Sequence, residues 1–281
     1  MKIDSHQHFW RFDPARDTWI TDEMAVLKRD FMPADLKPDL DANDMDACIT
    51  VQASQSDQET FFLLDLANRH VWIAGLVGWI DLCSGNVEER LWYLSQFEKL
   101  RGFRHIVQSE PDDRFMLRPE FLRGISCLAQ FNFTYDILIY PRQLPTAIEL
   151  VSRFPEQRFV LDHIAKPAIK SGHLASEDIE WARHIKSLAA QPNVYCKLSG
   201  LITEAHWHRW RPEDFAPYLD TVFESFGAHR LMYGSDWPVC LLAGTYRQVI
   251  DLVADYARAD SAVQLDQIFG GNAARFYGLK N

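Results

Sequence analysis

Lys2-Ile3-Asp4-Ser5-His6-Gln7-His8-Phe9 opens the chain on an alternating pattern. Residues two apart on a strand share a face, so His6 and His8 are expected to project together, with Asp4 behind them on the same side. Two imidazoles leaving one strand end make half of a metal site. Two surface histidines near a frayed N-terminus would give the same string. What the rest of the chain brings to meet them decides between the two.

Beyond this stretch the chain repeats an alternation of strand and helix. Strands are predicted at 48–54, 73–81, 101–107, 133–140, 158–164, 193–199 and 231–236, which with the opening strand makes eight. Between them, 177–190 places Trp181, Ile185 and Leu188 on one helical stripe, and 246–257 does the same with Tyr246, Val249, Ile250 and Val253. Phe159-Val160-Leu161 and Ile137-Leu138-Ile139 are apolar at consecutive positions, as expected of strands buried on both faces. Eight such units in 281 residues favour one (β/α)8 TIM barrel domain spanning 1–281 over an open doubly wound sheet. No GxGxxG or GxxxxGK[ST] loop is present to suggest a nucleotide-binding sheet. Asn272, after Gly270-Gly271, is expected to cap a short closing helix that packs Phe276. The stretch 10–35 sets Trp10, Trp19, Phe31 and Met32 among charges and prolines, and reads either as a lid or as an arm packed on the body.

Hydrophobic residues make up 47% of the chain and charged ones 24%, which suits an ordinary globular protein with ample core. The net charge of −10 argues against nucleic acid or anionic membrane as a partner. No stretch resembles a signal-peptide core or a membrane span. The five cysteines are odd in number, scattered and free of CxxC spacing, so a reduced, cytoplasmic protein is expected. A homo-oligomer stays open.

In a barrel of this kind the site lies at the C-terminal strand ends. Those ends carry His6 and His8; Gln52; Trp79 and Asp81; Arg104 and His105; Asp136 and Tyr140; Asp162, His163 and Lys166; Lys197 and Ser199; and Ser235, Asp236 and Trp237. Nearly every strand turns polar at the same end, which a purely structural barrel has no need to do. His6, His8, His163 and Asp236 would then surround one mouth. Three histidines and a carboxylate match the ligand preferences of Zn²⁺ or a similar divalent ion, with water completing the shell. Asp236 could ligate, accept the proton of water, or do both in succession. Singly, His163 reads as a satisfied core histidine.

Arg104, Lys166 and Lys197 suit a substrate rich in oxygen, or else pair with Asp81, Asp136 or Asp162. Gln52 and Tyr140 are candidate substrate hydrogen-bonders, and Trp79 and Trp237 are candidate pocket walls because flat rings suit sugar-like C–H faces. Trp72, Trp92 and Trp181 read as core or helix packing. The second pair, His206 and His208, falls beyond the seventh strand and reads as pocket rim. His70, His173, His184 and His229 read as surface residues.

IDSHQHFW, GFRH, LDHIAKP, KLSGL, YGSDWPV and the closing FGGNAARFYGL together resemble the amidohydrolase superfamily, specifically its sugar-lactonase branch of L-fuconolactonases and L-rhamnonolactonases. The likeness runs from His6 to Leu279. It implies a (β/α)8 barrel hydrolase in which His6 and His8 match the first-strand pair, His163 the later histidine and Asp236 the eighth-strand aspartate. No lysine matches the carbamate bridge of binuclear members, and Lys197-Leu198-Ser199 offers no histidine where some members have one, which argues for a single ion. Some similar lactonases are thought to work without metal.

The leading expectation is hydrolysis of a sugar-acid lactone to the open aldonate. Asp236 would act as general base, His163 and Arg104 as further catalytic groups, and Lys166, Tyr140, Trp79, Trp237 and Gln52 as substrate contacts. The rivals are non-oxidative decarboxylation of an unsaturated or aromatic acid, and a carbohydrate-binding protein without catalysis.

Overall fold

The computed structural model describes residues 1–172, 176–258 and 265–279; His173 lies outside them. Eight strands run in chain order as one parallel sheet: β1 (Ile3–Gln7), β2 (Ala47–Val51), β3 (Ile73–Gly78), β4 (Leu100–His105), β5 (Thr134–Ile137), β6 (Phe159–Leu161), β7 (Val194–Leu198) and β8 (Leu231–Tyr233). Helices α1 (Pro33–Ala42), α2 (Asp57–Arg69), α3 (Val87–Leu94), α4 (Pro119–Leu128), α5 (Leu144–Arg153), α6 (Ser176–Ala189), α7 (Ala216–Phe226) and α8 (Tyr246–Arg258) follow the strands one for one. A ninth, α9 (Asn272–Tyr277), comes last. The sheet closes where β1 meets the end of β8. There the His8 N–H donates to the Trp237 carbonyl at 2.7 Å and the Asp236 N–H donates to the His6 carbonyl at 2.8 Å. This is the (β/α)8 barrel the sequence implies.

Two apolar layers hold it. Inside the barrel, Ile3, Ala47, Ile49, Val51, Val77, Val160 and Met232 pack with Ala273, Phe276 and Tyr277, so α9 plugs the N-terminal end. Outside, the other face of each strand packs against the helix ring, with Cys48, Leu76, Phe103 and Tyr135 among the buried side chains. Consecutive apolar strand residues serve one layer each, which is why the strands show no alternation. Asn272 departs from the expected cap. It is the first helical residue, and its side-chain amide donates to the Ala228 and Leu231 carbonyls at 2.7 and 2.6 Å, tying α9 to the base of β8.

The stretch after β1 packs as an arm. Trp10 and Phe31 exchange backbone hydrogen bonds of 3.0 and 2.9 Å, and Phe31 stands edge-on to Trp237 at 5.3 Å. Trp181 is buried, with its indole N–H on the Ile164 carbonyl at 2.8 Å. Trp92 is not core packing, because it stands 61% exposed on α3. Among the described residues no helix is long and apolar enough to cross a membrane.

Candidate active site

Strict alternation along β1 would put Asp4 on the face of His6. It does not, because the pairing of β1 with β2 slips between Asp4 and Gln7. Ile3 points into the barrel, whereas the Asp4 carboxylate accepts from the Ser235 hydroxyl (2.6 Å), the Ser235 N–H (2.9 Å) and Tyr246 of the outer helix α8 (3.1 Å). Irregularities of this kind re-aim side chains near active sites. Asp4 is therefore a brace between β1, the end of β8 and α8. Burial pushes its carboxyl up to about 6 against those hydrogen bonds.

Beyond the slip, His6 and His8 turn to the mouth, their ring centres 5.0 Å apart. His163 joins from the end of β6, 4.5 Å from the His6 ring. It arrives through an unusual backbone: His163, Ile164, Ala165 and Lys166 all have left-handed φ angles between 48° and 61°. Asp236, after β8, has φ 56°. Such residues each cost about 1–3 kcal/mol and cluster at functional sites. All three imidazole Nε2 atoms face one oxygen of Asp236, at 3.9 Å from His6, 3.3 Å from His8 and 3.9 Å from His163. A ligating atom from each of His6, His163 and Asp236 falls within a span of 4.8 Å.

Hydrogen bonding shows what this cluster can hold. His8 Nδ1 lies 2.7 Å from the Val51 carbonyl, which can only accept, so Nδ1 donates there and Nε2 is the atom that faces the Asp236 carboxylate. A proton or a metal cation can sit between that nitrogen and the carboxylate. His163 Nδ1 is held by the Ser199 hydroxyl at 2.8 Å, an outer partner of the kind that orients metal-binding imidazoles, and His6 Nδ1 faces both Lys197 Nζ at 3.1 Å and Asp162 at 3.4 Å. The donor set fits a divalent cation. Burial lowers His163 to about 4, with Lys166 and Arg104 acting in the same sense. Burial would raise Asp236, but His163, His8 and His6 outweigh it and hold the carboxyl well below the usual range.

Behind His6 lies a buried charge cluster. Lys197 Nζ is 2.5 Å from Asp136, 3.0 Å from Asp162 and 3.1 Å from His6 Nδ1. Arg104 donates to Asp162 at 3.0 Å, reaches the Gln52 carbonyl and side chain, and sits 3.3 Å from His6 Nε2. Tyr277 of α9 donates to Asp136 at 2.9 Å. Two cations balance two carboxylates, all beneath the mouth. Asp136 is raised to about 6 by burial, whereas Lys197, His6 and Arg104 overcome burial at Asp162 and hold it well below the usual range.

The remaining candidates spread around the rim. Gln52 is buried, donating to the Arg104 carbonyl at 3.2 Å. Half-buried Trp79 is fixed through its backbone to Thr60, and its indole N–H is buried with no partner among the described residues. Lys166 lies 5.9 Å from the centre of the Tyr140 ring and 3.8 Å from Glu204. Trp237 is only 2% exposed and packs against Phe9 and Phe31, so its indole anchors the arm. His206 and His208 are exposed. Glu204 escapes sequence reading because a short loop turn has no periodicity to mark it.

Gly200 has φ 63°, and a Cβ there would lie 2.6 Å from His163 Nδ1. Gly200→Ala should displace the His163 ring and lower kcat/KM at least about tenfold, since misplacement near 1 Å can cost about 10²-fold. Steady-state kinetics beside a thermal melt will separate this from unfolding. Because His163 stays neutral until about pH 4, the acid limb of kcat/KM should lie below about pH 5 rather than near the ordinary histidine value of 6.5. The sign is that of a base whose protonation is disfavoured in the folded site: activity is retained down to that pH and lost below it. A pH–rate profile checks it.

Residues 3–279 match the amidohydrolase family model. The chain is 43% identical to an L-fucono-1,5-lactonase from Burkholderia multivorans, over 99% of this chain and 96% of that one. An L-fucono-1,5-lactonase from Burkholderia ambifaria is 37% identical, with the same shares covered. The crystal structure of an amidohydrolase from Burkholderia multivorans with bound zinc superposes at a TM-score of 0.94, with 42% identity and 100% of both chains covered. The sequence match over nearly the whole chain and the barrel-mouth histidines agree: the protein belongs to the amidohydrolase family.

Proposed function

We propose that this protein hydrolyses a sugar-acid lactone, with L-fucono-1,5-lactone the first candidate, to the open aldonate. The observation that carries the reading is the convergence of three imidazole Nε2 atoms on one oxygen of Asp236 at the barrel mouth. The L-fucono-1,5-lactonase relatives supply the substrate class.

His6, His8, His163 and Asp236 would hold one divalent ion, zinc by the chemistry of the donor set. When bound, such an ion supplies Lewis-acid polarisation of the lactone carbonyl. Asp236 accepts the proton of the attacking water and returns it to the ring oxygen as the acyl–oxygen bond breaks. The water adds to the carbonyl carbon, the ring oxygen leaves as an alcohol, and the product is a carboxylic acid. Lys197, Asp162 and Arg104 fix the His6 ring from behind. Lys166, Tyr140, Trp79 and Gln52 line or support the substrate side. Arg104, the cation that a decarboxylase reading would use for the substrate carboxylate, is already engaged by Asp162 and Gln52. The free cysteines, four of five buried, support a reducing compartment, and we place the enzyme in the cytoplasm.

A pH-indicator screen over aldonolactones, with metal content measured on the same preparation, tests the reading. Acid release from L-fucono-1,5-lactone and about one zinc per chain are expected, with turnover falling on chelation and returning with added zinc. No acid from any lactone would sink the function; full activity without metal would sink the ion alone.

A further inference from the structure

Three mouth loops converge beside His163. The first carries Lys166 at the end of the left-handed turn after β6. The second follows β7, where Gly200 presses on the His163 ring and the turn Ile202–Glu204 comes next. The third is Val239–Leu242, after Asp236, against which the Ile202–Glu204 turn packs. Glu204 is thereby set between Lys166 and the Asp236 side of the mouth. Burial pushes its carboxyl up, the Lys166 charge opposes that and the Asp236 charge adds to it.

The Lys166–Glu204 contact is loose. Nζ and Oε1 stand 3.8 Å apart, beyond hydrogen-bond distance, with the side chains 19% and 23% exposed. No hydrogen bond from a described residue reaches the Glu204 carboxylate. The carboxylate keeps contact with solvent, so its acceptor positions are open to donors from a bound ligand. Lys166 also sits over the Tyr140 ring, which keeps the ammonium at the mouth without consuming its hydrogen bonds. A tight ion pair would resist exchange; this one can trade partners when a polyol arrives.

We propose that Glu204, with Lys166, is a specificity-determining residue that reads the hydroxyl groups of the substrate; the proposal rests on the lactone reading of the site. Glu204 accepts hydrogen bonds from neighbouring hydroxyls of the sugar-acid lactone, and Lys166 donates to their oxygens. The pair discriminates by polyol content and leaves the reacting carbonyl to the histidine–Asp236 cluster.

Glu204→Gln, assayed on L-fucono-1,5-lactone and on δ-valerolactone (the same ring without hydroxyls), tests this. Relative to wild type, kcat/KM on the sugar lactone should fall about tenfold or more, chiefly through KM, and at least about five times further than on δ-valerolactone. If δ-valerolactone turns over too slowly, its inhibition of sugar-lactone hydrolysis gives the same comparison through Ki. Equal losses on both lactones, or no loss on either, overturn the proposal while leaving the lactonase reading intact. A wild-type protein that hydrolyses neither overturns both. Lys166→Met is expected to repeat the substrate-dependent pattern and stands in should Glu204→Gln fail to fold.

Discussion

Replacing Asp236 by Asn should lower kcat/KM for the lactone by about 10²–10⁴-fold, the usual weight of a positioned general base. The substitution keeps the shape of the side chain and removes its proton affinity. It also removes the negative charge on which the Nε2 atoms of His6, His8 and His163 converge. Ligand binding should survive, because the rim residues are untouched. Metal content must be measured beside the rate, since an amide is a poorer ligand. A variant that regains zinc and stays slow assigns the loss to proton transfer. A rate within about threefold of wild type would falsify the assignment of Asp236 as base.

The second large effect is on stability. Lys197→Met should cost about 3–5 kcal/mol, the usual result of breaking a fully buried ion pair by removing one partner. For a chain of this size that is roughly a 10 °C fall in the thermal midpoint. Asp136 and Asp162 are both buried and close to Lys197, so its loss leaves two carboxylates facing one remaining cation, Arg104. The double variant Lys197→Met with Asp136→Asn restores the balance and should recover much of the loss. Thermal or denaturant unfolding checks both. A loss under about 1 kcal/mol for the single variant would show that the cluster does not support the barrel.

Much of this architecture is legible in the sequence for a physical reason. A parallel strand buried on both faces is apolar along its length and turns polar only where it leaves the barrel. Phe159-Val160-Leu161 followed by Asp162-His163 shows both halves of that signal. The eight strands and the convergence of His6, His8, His163 and Asp236 come from repeating that reading around the ring.

The features that stay hidden depend on register and packing. Asp4 looks like a neighbour of His6 until the slip in β1 sends it outward to Ser235 and Tyr246. The pairing of Arg104 and Lys197 with Asp136 and Asp162 is one of the two readings the sequence offers, and only the barrel stagger that brings four different strands to one depth decides for it. Trp237 has the look of a pocket wall, but the arm that buries it is an irregular stretch whose course no periodicity gives. Asn272 sits where a cap is expected, yet its amide serves two carbonyls at the base of β8.

Hydrolysis of L-fucono-1,5-lactone in ¹⁸O-enriched water, with the product examined by mass spectrometry, tests the attack of water on the lactone carbonyl most directly. Water adding to the carbonyl carbon, with acyl–oxygen cleavage, must leave one ¹⁸O in the aldonate carboxylate and none in its hydroxyl groups. Label in the hydroxyl at the former ring carbon, or an unlabelled product, would contradict it.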